Sequence, residues 1–178
     1  MDIREKTVES NIVYDGKIVK FHVDTVLCPN GNKALREFIR HPGGVSIVPV
    51  DDEGYVYMVR QYRIPYDDIL LEIPAGKLDK GEDTSVAAAR ELREETGLIA
   101  DKMVFMGNFY PTVGVCDENL RMYLATGLTQ GEDDPDEDEF INVEKIHIDK
   151  LVDMIMNNEI KDGKTIAAVL KAKILLDK

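Results

Sequence analysis

The stretch Gly76–Leu98, GKLDKGEDTSVAAARELREETGL, decides how this chain is read. Its middle predicts a helix over residues 84–96. Asp83 or Thr84 supplies an N-cap, acids are expected in the first turn, and Gly97 is a natural residue just past the C-terminus. A helix turns about 100° per residue, so Glu91 and Glu95 lie about 40° apart on one face, with Glu94 about 60° to the other side of Glu91. Val86, Ala89 and Leu92 are expected to face the core. Like charges three and four residues apart repel, and these stand toward the negative end of the helix dipole. Local stability favours Lys or Arg there. A hard divalent cation removes the conflict, because Mg2+ takes oxygen ligands and binds through a few carboxylates plus substrate phosphate. Taken alone, three glutamates also suit a solvated acidic helix with Arg90 and Arg93 as ion-pair partners.

Working outward, residues 11–40 read as β structure, broken at Asp15-Gly16 and at Pro29-Asn30-Gly31-Asn32. Asn-Gly between strand-like runs is a hairpin signal. His41-Pro42-Gly43-Gly44 punctuates the chain. The expected division is a small antiparallel β subdomain, residues 1–41, and a main domain, residues 42–178. In the main domain, strands are expected near 45–50, 55–62 and 69–73, with Pro74-Ala75-Gly76 breaking the last. Further strands are expected near 103–109, 120–126 and 140–147, and helices at 149–158 and 164–176. Strands outnumber helices without regular alternation, which points to an α+β fold with a mixed sheet rather than a doubly wound one.

The chain has 178 residues and a formal net charge of −12. That length suits one domain with a small appendage and is enough to bury a core. Residues 1–81 carry a net charge of −2 and residues 82–178 a net charge of −10. Such an acidic balance argues against nucleic-acid partners and against an anionic membrane surface. Cys28 and Cys116 have no metal-ligand spacing and are expected as free thiols. No apolar h-region opens the chain and no run approaches a membrane span, so the cytoplasm is the expected address.

The full pattern is G-x5-E-x7-R-E-U-x-E-E-x-G-U, where U is aliphatic. It is met at Gly76, Glu82, Arg90, Glu91, Leu92, Glu94, Glu95, Gly97 and Leu98. This closely resembles the Nudix box, and the surrounding strand order resembles the Nudix fold over roughly residues 41–178. The resemblance implies an α/β/α sandwich whose loop–helix–loop binds Mg2+ or Mn2+ and hydrolyses a nucleoside diphosphate linked to another moiety. It implies Glu91 and Glu95 as principal metal ligands, with Glu94 as a direct or water-mediated one and the Ala75 carbonyl as a further ligand. Glu82 and Arg90 are implied to orient the glutamates, and Gly76 and Gly97 to provide turns.

Outside the box, Arg36–Gly44, Val59–Arg63, Leu71–Gly76 and Tyr110–Glu118 resemble the ADP-ribose pyrophosphatase branch. Related enzymes acting on other sugar nucleotides or dinucleotides share some of these stretches. A Pro/Gly segment that often reads Ser-Pro-Gly in the branch is interrupted here, where Thr112 and Val113 separate Pro111 from Gly114. The arginines at 36, 40, 60 and 63 precede the acidic half. Arg36 and Arg63 are the preferred phosphate contacts, with surface ion pairing as the other reading. Phe21 stacks on adenine or is an ordinary core residue. Glu72 accepts from a ribose hydroxyl or the adenine amino group, or is a strand-end surface residue. Residues 132–139 hold seven acids in eight positions. By the resemblance, Glu137 falls at a general-base position and Glu139 at a possible metal ligand, with Glu118 as the alternative base. His22, His41 and His147 lack ligand spacing.

These expectations combine into hydrolysis of the ADP-ribose pyrophosphate bond to AMP and ribose 5-phosphate. Metals held by Glu91, Glu95 and Glu139 neutralise the diphosphate and activate water, and Glu137 takes its proton. The branch also implies a homodimer with exchanged N-terminal segments, since so short a β segment does not hold a core alone. A Nudix-fold sensor that binds without hydrolysing is the competing class, though such proteins usually lose box carboxylates that this chain keeps.

Overall fold

The computed structural model describes residues 1–131 and 140–178. The elements run β1 (Lys6–Asp15), β2 (Lys20–Leu27), β3 (Lys33–Arg40), β4 (Gly44–Pro49), β5 (Tyr55–Arg63), β6 (Asp68–Glu72), β7 (Ala75–Lys77), α1 (Thr84–Thr96), β8 (Leu98–Phe109), β9 (Leu120–Gln130), β10 (Asn142–His147), α2 (Ile148–Met156) and α3 (Gly163–Leu176). They fall into two compact units, Met1–Gly43 with Tyr110–Asn119, and Gly44–Phe109 with Leu120–Lys178.

The first unit is the antiparallel sheet β1-β2-β3. Its β2–β3 hairpin closes where Gly31, at φ +84°, donates to the Cys28 carbonyl at 2.9 Å. An L side chain there would be strained, which explains the Asn-Gly pair. Strand β1 begins at Lys6 rather than near residue 11. It is exposed along its whole length, so no alternation of burial marks its start; pairing with β2 defines it, from Lys6 opposite Leu27 to Asp15 opposite Lys20. The Tyr110–Asn119 segment joins through the Ile39 N–H to the Val115 carbonyl and through Arg40 to the Asp117 carboxylate, both at 2.8 Å.

The second unit holds a mixed sheet, β7-β4-β9-β8, in which β4 and β9 are parallel, and an antiparallel sheet, β10-β5-β6. Strand β4 is buried on both faces. Val45 and Ile47 pack with Ala87, Ala88 and Leu92 of α1 and with Tyr123 and Ala125 of β9. Val48 packs instead with Met58 of β5, Met122 and Leu124 of β9, Leu151 of α2 and Val169 of α3. The period of two along β4 and β9 thus feeds two cores. Helix α1 covers one face of the mixed sheet, and the second sheet with α2 and α3 covers the other. This is the α+β, mixed-sheet architecture that the strand pattern implies.

Three local expectations fail. Pro74-Ala75-Gly76 does not simply break a strand: Ala75–Lys77 forms β7 and pairs with β4. Proline lacks an N–H, but its carbonyl still accepts from the Ile47 N–H at 2.9 Å. Strand β8 starts at Leu98 rather than at 103, directly after the glycine that ends α1. Helix α1 has no acid in its first turn, because Glu82 and Asp83 both precede it; Asp83 is the N-cap and accepts from the Ser85 N–H at 2.8 Å.

Candidate active site

The apolar flank of α1 is the expected one only at Leu92. Ala87, Ala88 and Leu92 are buried, whereas Val86 and Ala89 are exposed. This rotation carries Glu91 and Glu95 inward, to 8% and 6% exposure. Small alanines at 87 and 88 let the helix lie close on β4, and the two carboxylates take the space beside them. Burying two ionised groups one turn apart is costly unless each is paired.

The partners come from the chain on either side of the helix. Glu95 Oε2 accepts from the Ala75 N–H at 3.2 Å. Glu91 lies against Gly76, where any Cβ would stand 1.9–2.0 Å from its carboxylate atoms. Antiparallel pairing with β4, Ser46 opposite Ala75 and Val45 opposite Gly76, fixes that backbone. Gly97, at φ +69°, ends the helix by donating to the Arg93 carbonyl at 2.8 Å.

Arg90 gathers the remaining carboxylates. Its Nε and Nη2 each meet Glu82 at 3.0 Å, and its Nη1 donates to Glu91 at 2.9 Å and to Glu94 at 2.8 Å. Nη2 also donates to the Lys77 carbonyl at 3.2 Å. The Asp79 N–H holds Glu82 at 3.0 Å. The hydrogen bonds to Glu82 raise the Arg90 pKa further, and those from Arg90 hold the Glu82 carboxyl below its usual range. One planar cation therefore orients three acids.

Among the described residues, no three His, Cys, Asp or Glu side chains converge as a metal-holding group. The donor set nonetheless fits a hard divalent cation. Glu91, Glu95 and the Ala75 carbonyl offer only oxygen, and Gly76 leaves the Glu91 carboxylate the room that a side chain would take.

The predicted substrate residues have partners of their own. Arg63 of β5 makes a two-bond fork to Glu72 of β6, at 2.8 and 2.7 Å. Glu72 is buried and also receives Lys164 of α3. Arg36 pairs with Glu5, its Nε at 2.9 Å, within the N-terminal unit. Phe21 is half-buried on β2, opposite Ile39. Glu118 stands 3.6 Å from His41 Nδ1. Glu137 and Glu139 lie outside the described residues. His22 stacks on Phe38, and His147 caps α2. Both cysteines are free.

Sequence reasoning missed Asp162, Lys164 and Thr165. Asp162 caps α3, accepting from the Thr165 N–H and from Lys164 Nζ, both at 3.0 Å. Thr165 Oγ1 accepts from the Ile73 N–H at 3.0 Å. In the sequence these residues read only as a helix start.

The NUDIX domain family matches residues 40–169. The chain belongs to the Nudix hydrolase family. It is 41% identical to the methanol dehydrogenase activator of Bacillus methanolicus, over 93% of this chain and 90% of that one. It is 38% identical to the ADP-ribose pyrophosphatase of Bacillus subtilis, over 94% and 91% of the two chains. The ADP-ribose pyrophosphatase of Mycobacterium tuberculosis is 43% identical over 70% of this chain and 61% of its own. A crystal structure described as an ADP compounds hydrolase superposes with a TM-score of 0.88, covering 99% of this chain and 97% of that one at 18% identity, and so shares the Nudix fold. Among the described residues, no helix is long and apolar enough to cross a membrane.

Proposed function

We propose that this Nudix hydrolase cleaves the pyrophosphate bond of ADP-ribose, giving AMP and ribose 5-phosphate, with Mg2+ or Mn2+ as cofactor. The observation that carries the reading is the burial of Glu91 and Glu95 against Ala75 and Gly76. Folding alone does not favour two carboxylates there, and a divalent cation that carries a diphosphate would use such a pair. The two relatives named ADP-ribose pyrophosphatases support the choice of substrate.

Glu91, Glu95 and the Ala75 carbonyl would hold the cation, with Glu139 as a further ligand. A bound divalent cation supplies the positive charge that a diphosphate needs and makes water a nucleophile near neutral pH. Arg90 keeps Glu91 and Glu94 in place. Glu137 takes the proton of the attacking water, with Glu118 as the alternative base. Arg63 and Arg36 are proposed as phosphate contacts, and Phe21 and Glu72 as contacts of the adenosine half. Arg63 Nη1 lies outside the fork to Glu72 and is the nitrogen proposed to reach a phosphoryl oxygen. The active species is a cytoplasmic homodimer with exchanged N-terminal segments, and light scattering that returns a concentration-independent monomer would refute that part.

The deciding experiment assays ADP-ribose beside other nucleoside diphosphate sugars and dinucleotides, with Mg2+ and with Mn2+, in 18O water. ADP-ribose is expected to give the highest kcat/KM, and the label assigns the attacked phosphorus. Preference for another sugar nucleotide or a dinucleotide would replace the substrate. Binding without turnover would make the chain a sensor. The relative named for activating a methanol dehydrogenase supports a second reading, in which the chain acts on a dehydrogenase. Adding it to a methanol dehydrogenase assay, with and without Mg2+, tests that.

A further inference from the structure

The segment Glu72–Lys77 is held from two sides. From one side come the α1 carboxylates, Glu95 on the Ala75 N–H and Glu91 against Gly76. From the other comes the start of α3. Thr165 Oγ1 accepts from the Ile73 N–H at 3.0 Å and donates to Asp162 at 2.6 Å. Lys164 Nζ joins Asp162, at 3.0 Å, to the Glu72 carboxylate. Thr165 is wholly buried, and so is Ile73. Pro74 has no N–H, so the Ile73 N–H is the last backbone donor before Ala75.

We propose that Thr165 and Lys164 are positioning residues for the Nudix site, setting the placement of Ala75 and Gly76 against Glu95 and Glu91 from the far side of the segment. A buried N–H accepted by a threonine hydroxyl is held to a narrow range of distance and angle. The hydroxyl is itself fixed, because it donates to the Asp162 carboxylate that caps the helix. Rotation or recession of Ile73 would turn the next peptide groups, and the Ala75 carbonyl would turn with them. The side-chain hydrogen bonds of Thr165 and Lys164 run to Ile73, Glu72 and Asp162, so their path to the box runs through residues 72–77. The arrangement has the logic of outer groups that aim metal ligands.

This inference rests on the reading of Ala75, Glu91 and Glu95 as the metal end of the site. Its test therefore includes a readout on the metal-free protein. Thr165→Val removes the hydroxyl at nearly constant shape, and Thr165→Ser restores it. Amide hydrogen exchange is followed at Ile73 and Ala75, with Val48 and Leu92 as core references, and Mn2+ binding is measured by calorimetry. Thr165→Val is expected to speed exchange at Ile73 and Ala75 relative to the references. It is also expected to weaken Mn2+ binding about tenfold or more, with Thr165→Ser close to wild type in both. If Thr165→Val does not fold, Lys164→Gln is read in the same way. Unchanged exchange at Ala75, or Thr165→Ser as impaired as Thr165→Val, overturns the proposal. If the wild-type protein binds no Mn2+, the metal reading fails separately, and the exchange data alone decide this one.

Discussion

Gly76 and Glu91 occupy adjoining space so closely that a Cβ on residue 76 would lie 1.9 Å from the Glu91 Cδ. The atom in the way ends a flexible side chain, so Gly76→Ala is expected to displace the carboxylate rather than the backbone. Displacement by about an ångström at a catalytic centre costs on the order of a hundredfold in rate. The expected result is a large fall in kcat/KM with a melting temperature within a few degrees of wild type. Wild-type turnover in Gly76→Ala would remove Glu91 from the catalytic centre.

Arg90 connects Glu82, Glu91 and Glu94 through three nitrogens. Its side chain is 28% exposed, so part of the interaction is screened. Arg90→Met leaves the carboxylates facing one another and is expected to cost roughly 1–3 kcal/mol. Arg90→Lys keeps the charge but cannot span three acids, and should recover less than half of the loss. Urea denaturation of both variants measures this, and equal stability of Arg90→Lys and wild type would contradict the role of the planar fork.

The box was legible because its spacing places chemistry-bearing residues on one helix, and a helix converts sequence offset into angle. Helix spacing alone puts Glu91 and Glu95 on one face; the roles assigned to them and to Arg90 come from the resemblance to the Nudix box. The orientation of the helix on the sheet was not legible: Val86 looked like core and is exposed, because the fit of Ala87 and Ala88 on β4 turned α1. Strand β7 was hidden for the same kind of reason, since its three residues are defined by pairing with β4 rather than by any pattern of their own. The bond from Thr165 to Ile73 joins positions 92 apart, and nothing local announces it. The Arg63–Glu72 fork is half legible: the sequence marks both residues, but nothing in it pairs them with each other.

Glu72 gives the fold an acid limit. Burial alone would push its carboxyl up, but the hydrogen bond from Arg63 and the charge of Lys164 outweigh that and hold it below its ordinary value of 4.5. A carboxyl whose folded pKa is lowered contributes stability that is complete above its unfolded value and is lost as pH falls through the folded one. Wild type is therefore expected to lose stability from about pH 4.5 downward, while Glu72→Gln loses less over the same range. At neutral pH, Glu72→Gln should be less stable by roughly 2–3 kcal/mol, because Arg63 and Lys164 lose their charged acceptor. Chemical denaturation at a series of pH values checks both, and parallel acid limbs for the two proteins would show that Glu72 is not the group responsible.

A divalent cation that binds the folded chain must also stabilise it. At a free concentration of one hundred times Kd, the gain is about 2.7 kcal/mol. Mg2+ is accordingly expected to raise the melting temperature of the wild type by several degrees, and EDTA to reverse it. Glu95→Gln keeps an acceptor for the Ala75 N–H, so the fold should survive while the Mg2+ response and most turnover disappear. The two readouts separate the possible errors. A Glu95→Gln protein that melts normally, keeps its Mg2+ shift and retains near-normal kcat would rule out Glu95 as a ligand. One that loses turnover but keeps the shift would leave the metal on other carboxylates and make Glu95 a residue that acts on the water or on Ala75.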